Sequence, residues 1–540
     1  MTKQAFNYFL LHAGSLLIFS SLLVSCHTKT LDSKTKQVFR YNEHKNIGSL
    51  DPAFAKDNAD IWAVNQLFNG LVQMDSLMNV TPAIAQFWTI SEDAKVYTFS
   101  LRKDVNFHSH PLFGDHQTRR VTAHDFVYSF DRLKNPQLAS PGSWVLQNVE
   151  TYKAIDQHTF QINLKTPFPA FLGLLTMKYC SVVPKEIVTH YGSDFRSNPI
   201  GTGPYKFKRW EENIKLIFRK NERYFETNSK GERLPYLEAV SITFLADKQS
   251  EFLQFIQGNI DFVSGLDASY KDDILSANGT LKPTYTSTVK MLRAPYLNTE
   301  YLGFYMDSEV PEYQSQLIRQ ALNYGFDRSK MMTYLRNGIG IPALGGFIPK
   351  GLPGHQENVG YSYQPEKAKQ LLEAYKIESG NQQPSITITT ISNYLSFSEF
   401  IQRELQSIGL TISIEIIPPS SLKSAKSNGK IDLFRASWVA DYPDAQNYLS
   451  LFYSPNFAPN GPNYTHFKEE QFDRWYEQAM LETDKASRIN LYKKMDALVV
   501  EQAPIVVLFY DEVVRFTSIE ISGLGINPTN LLDLKNVQKN

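Results

Sequence analysis

Ser385-Ile386-Thr387-Ile388-Thr389-Thr390 alternates polar and apolar side chains, as a strand does. Ser398 to Ile408 then places apolar residues at i, i+3/i+4 spacing, Leu410 to Ile417 reads as a strand again, and Ile431-Asp432-Leu433-Phe434 follows as another. Strand, helix, strand at this spacing is α/β grammar. Around this stretch the chain after Asp307 is rich in helical patterns: Gln314 to Tyr324, Ser329 to Arg336, Pro365 to Tyr375, Glu469 to Leu481 and Lys485 to Val500. It closes on the apolar strand Ile505-Val506-Val507-Leu508-Phe509-Tyr510. Towards the N-terminus, Gln37 to Tyr41 and Val96 to Arg102 read as strands, and Asp60 to Phe68 as a helix ending at Asn69-Gly70. Thr122 and Asp125 form a capping box ahead of a helix through Leu133. Ile200 to Tyr205 is a turn-rich junction followed by strands to Arg219.

The chain has 540 residues, of which 42% are hydrophobic, so it can fill more than one core. Single cores stop growing at roughly 250–300 residues, which predicts two or three lobes. With 55 Lys+Arg against 55 Asp+Glu it lacks the positive charge a nucleic-acid binder needs. Two cysteines exclude a disulfide scaffold and a Cys-rich metal site. The start is secretory: Lys3, then a mostly apolar run from Phe9 to Val24, too marginal for a permanent span. Leu23-Val24-Ser25-Cys26 resembles a bacterial lipobox, which implies a signal peptide over 1–25, a lipid on Cys26 and a flexible tether over 27–36. No later segment approaches a membrane span, so the expectation is a body held to the membrane by acyl chains, on the periplasmic side.

Catalytic constellations are missing: no G-x-S-x-G elbow, no Walker A loop and no H-E-x-x-H. Gly338-Ile339-Gly340 with Ile341 to Gly346 has the wrong spacing for a dinucleotide site and is broken by Pro342, so it reads as a mobile loop. His108, His110 and His116 are the weak metal candidates, clustered with Asp115 and near His124. Pro111, Gly114 and Asp115 make a solvated hairpin loop the competing reading. No metal and no cofactor is expected, and an enzyme, for example a periplasmic hydrolase, is the remote alternative.

Several segments, in order along the chain, resemble the family 5 extracellular solute-binding proteins of ABC transporters, the oligopeptide- and dipeptide-binding class. They are Gly48-Ser49-Leu50-Asp51-Pro52, Leu67-Phe68-Asn69-Gly70-Leu71, Pro82-Ala83-Ile84-Ala85, Val121 to Phe130, Pro199 to Tyr205, Ile318 to Tyr324 with Asp327-Arg328, and Tyr363 to Ala368. Arg435-Ala436-Ser437-Trp438-Val439-Ala440-Asp441-Tyr442-Pro443-Asp444 resembles the peptide-binding members.

The resemblance implies a two-lobed α/β clamshell of the periplasmic-binding-protein kind (class II type), with an extra subdomain and a hinge of interleaved segments. Lobe I would comprise 37–76, 201–293 and 513–540, the subdomain 77–200, and lobe II 294–512. It implies that Asp441 pairs with a peptide's α-ammonium, that the backbone of Ser437 and Val439 bonds the ligand as an added strand, and that Arg435 takes a carboxylate. Trp438 and Tyr442 would offer rings, and the loop Lys56-Asp57-Asn58 the opposite wall. From the residues alone, Trp438 also suits a core and Asp441-Tyr442-Pro443 a turn. The implied function is an importer's binding lipoprotein: a monomer delivering short peptides to a permease with its ATPase subunits, without contact to nucleic acid. The same scaffold in other members takes metal chelates, haem or oligosaccharides.

Overall fold

The computed structural model describes residues 37–267 and 269–540. Cys26, the signal peptide and the tether expected around it lie outside these residues. Two long antiparallel strands, Val289–Phe304 and Ile505–Ser518, form the axis of the molecule and pair along most of their length. One end of the pair carries Phe262–Ser264, Val38–Asn42, Ala239–Thr243, Lys215–Lys220 and Tyr205–Glu211, in that order outward. The other end carries Leu433–Val439, Ser385–Thr390 and Thr411–Ile416. One sheet therefore passes through both halves. Ser385–Thr390 and Thr411–Ile416 are parallel neighbours joined by the helix Leu395–Gln406, the unit that the opening stretch of sequence encodes.

The expected lobe boundaries at 293/294 and 512/513 fall opposite one another in the axial pair, where Arg293 faces Val514 and Ala294 faces Val513. Immediately beyond, the register breaks between Pro295 and Thr299. Pro295 has no N–H to donate, and the segment that follows pairs elsewhere: Leu297 donates its N–H to Pro528 O at 2.8 Å and accepts from Ala440 N–H at 2.9 Å. The two chains that cross between the halves are thus paired to each other and irregular at the crossing.

The subdomain has its own antiparallel sheet, ordered Ala85–Ile90, Val96–Leu101, Thr159–Leu164, Val149–Ala154. Helix Ala123–Lys134 lies on it, with the rings of Phe126 and Phe130 at 5.6 and 5.5 Å from Phe160. Its start is the predicted box: Thr122 N–H donates to the Asp125 carboxylate at 2.8 Å. Cys180 is a free, buried thiol, pushed up to about 12 by desolvation.

Two readings of loops change. The segment 338–346 is no mobile loop: Ile341–Pro342 pairs with the axial strand, and Phe347 N–H donates to the buried Asp496 carboxylate at 2.7 Å. Gly346 is required there, since a Cβ would lie 1.9 Å from an Asp496 oxygen. The histidines are not a metal set. His108 is buried, with Nε2 at 3.0 Å from Gly203 O and Nδ1 accepting from Gly201 N–H at 3.3 Å, so the backbone uses both nitrogens. His110 accepts from Leu112 N–H and meets the Tyr191 hydroxyl at 3.0 Å, and His116 points to solvent. Among the described residues no group of three or more His, Cys, Asp or Glu is placed to hold a metal ion. Arg119 closes this loop onto the body by bonding Asp125 at 2.7 Å and Glu186.

Burial lowers His108 from 6.5 to about 4. Between these values the unfolded chain takes up a proton that the folded chain refuses, so folding stability falls as pH drops through this window. The full loss is about 3 kcal/mol at about 1.4 kcal/mol per pH unit. His108→Gln should therefore show a shallower fall in stability than the parent between pH of about 7 and about 4, read by denaturant titration.

Candidate functional site

A cavity of about 380 Å³ lies between the two halves, within the usual range of about 300–1,000 Å³ for ligand pockets. Asn58, Trp62 and Asn65 on helix Asn58–Leu67, together with the segment 176–179, form one wall. Val439, Ala440, Asp441, Tyr442 and Pro443 form the facing wall, and Tyr296, from the irregular crossing, also lines the space. Of the residues predicted for the site, the structure brings Asn58, Val439, Asp441 and Tyr442 to this cavity; Arg435, Ser437 and Trp438 are not among its walls.

Asp441 follows the strand Leu433–Val439 and is fixed by Asn447. Its N–H donates to Asn447 Oδ1 at 3.2 Å, and Asn447 Nδ2 donates to its Oδ2 at 3.2 Å. The same Asn447 Oδ1 accepts the indole N–H of Trp438 at 2.8 Å. Trp438 therefore supports the carboxylate from behind, half-buried against the core, instead of presenting a ring to ligand. Asp441 is exposed at the cavity wall, yet desolvation by the surrounding protein raises its carboxyl above its ordinary value, and Asn447 partly offsets this. Among the described residues, Oδ1 of Asp441 has no hydrogen-bond partner and is free for a cation.

The backbone beside it has a definite orientation. Ala440 N–H donates to Leu297 O and Tyr305 N–H to Asp432 O, so the even-numbered residues of this strand bond the axial strand. Antiparallel ladders alternate, so the N–H and C=O groups of Ser437 and Val439 point the other way. On that side the neighbouring strand Ser385–Thr390 reaches only to Phe434, through Thr389. Ser437 and Val439 thus form an open strand edge running up to Asp441.

Arg435 has a different partner from the ligand carboxylate expected for it. Its guanidinium pairs with Glu300 Oε2 at 2.5 Å and lies 3.6 Å from the centre of the Tyr394 ring. Glu300 is 3% exposed and also accepts from the Tyr394 hydroxyl and from Asn298 Nδ2, both at 3.1 Å. The charge of Arg435 is spent inside the protein. Tyr442 likewise departs from the expected ligand ring: only 7% exposed, it packs against Trp144 and edge-on to Phe168 of the subdomain, with its hydroxyl donating to Gln446. It joins the two halves more than it faces the cavity.

Sequence reasoning passed over Tyr179, Trp62, Tyr296 and Lys178, which also line the space. Gly142 makes the seat of Tyr179, since a Cβ there would sit 2.2 Å from the tyrosine ring, a contact that no local sequence pattern announces.

A model of the family described as bacterial extracellular solute-binding proteins, family 5 Middle, matches residues 79–460. The chain is similar to a dipeptide-binding protein of Escherichia coli (strain K12), 26% identical over 498 residues that cover 87% of this chain and 88% of the relative. Its fold is similar to that of HbpA2 from Haemophilus parasuis, with a TM-score of 0.81 at 23% identity over 93% of this chain and 100% of the other. It is also similar to the ABC transporter-associated periplasmic binding protein DppA from Helicobacter pylori in complex with the peptide STSA. There the TM-score is 0.73 at 23% identity, over 94% of this chain and 100% of the other. The two-lobed α/β architecture expected from the sequence is the one these structures share with it.

Proposed function

The chain belongs to family 5 of the bacterial extracellular solute-binding proteins, and from that premise we propose that it captures short peptides in the cavity beside Asp441. One observation carries the reading: a carboxylate with a free oxygen stands at the end of an open strand edge, on a cavity wall. An α-ammonium needs the carboxylate, and a peptide main chain needs the edge, since strand addition bonds backbone whatever the side chains are. The similarity to a dipeptide-binding protein supports the same ligand class. The proposal extends to a lipid on Cys26, a place on the periplasmic side of a membrane, and delivery to a permease driven by ATPase subunits.

Native mass spectrometry of the purified protein, before and after adding a mixture of di- to tetrapeptides, tests the ligand class. The expected result is a one-to-one complex whose released peptide has its mass unchanged. A complex with haem, a metal chelate or an oligosaccharide, and none with peptide, would replace the reading; shortened peptides would indicate a hydrolase.

A further inference from the structure

The cavity contains a cation that ammonium recognition leaves without a role. Lys178 stands in the single turn Lys178–Cys180 of the segment 176–179, and lines the same cavity as the loop that bears Asp441. Among the described residues its ammonium makes no ion pair, whereas nearby Lys535 is held by Glu226 at 2.8 Å and Asp533 at 3.7 Å. Burial lowers the Lys178 ammonium to about 8, with Asp533 supporting its charge and Lys535 opposing it. The carboxyl of Asp441 responds to burial and Asn447, so each of the two groups is perturbed by a separate set of neighbours.

The charges that line the space are Lys56, Lys178, Asp441 and Asp533, two of each sign. Lys56 is exposed to solvent, as Asp441 is, whereas Lys178 is half-buried, and Asp533 shares its charge with Lys535. This leaves Asp441, which has a free carboxylate oxygen, and Lys178, the less exposed of the two cations. A ligand complementary to this pair carries an ammonium and a carboxylate. The cation implied for the carboxylate by family resemblance, Arg435, is already neutralised by Glu300 and lies off the cavity wall.

We infer that Lys178 receives a carboxylate of the ligand, so that the cavity selects peptides bearing a free carboxylate over their neutral amides. This rests on the peptide reading of the same cavity. The carboxylate has two sources, the C-terminus and an acidic side chain, and both present the same group to an ammonium. A half-buried cation that forms no ion pair among the described residues, and whose nearby carboxylate Asp533 is shared with Lys535, gains a charge-assisted hydrogen bond from either.

Calorimetry on the full mature chain separates these sources. The first pair of probes is trialanine and trialanine amide; the second is Ala-Glu-Ala amide and Ala-Gln-Ala amide. In one of the pairs the carboxylate-bearing member should bind about tenfold to a hundredfold tighter, as loss of a charged hydrogen bond implies. Lys178→Gln should erase that preference while binding the neutral member as the parent does, which also shows that the variant is folded. Lys178→Met should behave alike. The pair that responds names the source. A preference that persists in Lys178→Gln, or that vanishes instead in Lys56→Gln, overturns the inference, as does equal binding within both pairs by the parent. Failure of the parent to bind any of the four overturns the peptide reading and this one with it. Binding without carboxylate preference overturns this one alone.

Discussion

Asp441→Asn is expected to weaken the binding of a free peptide by at least about two orders of magnitude. The substitution keeps the shape and the bond to Asn447 but removes the charge that faces the ligand ammonium. Filling the cavity covers Asp441, and removing one partner of a covered ion pair costs about 3–5 kcal/mol because the other stays desolvated. An N-acetylated peptide should lose a similar amount against the parent and little more against Asp441→Asn. Calorimetry on the two proteins and two peptides closes that cycle, and independent, additive losses would make Asp441 a turn residue. The pH dependence has a definite sign. The free carboxyl is raised above 3.8 by enclosure, so below its folded value the site is protonated and neutral. Peptide affinity should therefore fall as pH drops through that value, with proton release on binding in the same window.

How much of this was legible depended on whether the determinant was local. Ser385–Thr390 and Thr411–Ile416 sit where periodicity placed them, because one face of each is buried and period two records it. Val289–Phe304 went unread although it is the longest strand: Lys290, Arg293 and Pro295 interrupt its alternation, and its pairing to Ile505–Ser518 is more than two hundred residues distant. The apolar run of the final strand predicts an end at Tyr510, since Asp511 and Glu512 follow. In the fold Arg336 pairs with Asp511 at 2.7 Å and Arg293 with Glu512, so the charges are matched and the strand runs on to Ser518. The site divides in the same way. Asp441 and the strand edge before it are encoded in ten consecutive residues. Lys178 and Tyr179 lie in a loop without periodicity and meet Asp441 only through the tertiary fold.

Arg435 is the residue for which local resemblance and long-range structure disagree, and its replacement distinguishes them. Glu300, on the axial strand, is 3% exposed, and Arg435 is 14% exposed. Burial raises the Glu300 carboxyl even though Arg435 pulls it down. Arg435→Met removes the pull and leaves the carboxylate buried against Tyr394 and Asn298, which should destabilise the fold by about 3–5 kcal/mol. The loss relative to the parent should be smallest at low pH, where the folded carboxyl is protonated in both proteins, and should grow as pH rises above the parent's raised folded value towards the still higher one that removing Arg435 leaves. Adding Glu300→Gln should recover most of the stability, because an amide can still bond the tyrosine hydroxyl without carrying a charge. Denaturant titration of the two single variants and the double variant measures the coupling. Peptide affinity should survive in the double variant, since Arg435 is not a wall of the cavity. If Arg435→Met instead left stability unchanged and abolished the binding of trialanine but not of its amide, the guanidinium would be the ligand's partner, and the Glu300 pair would have to open for each peptide bound.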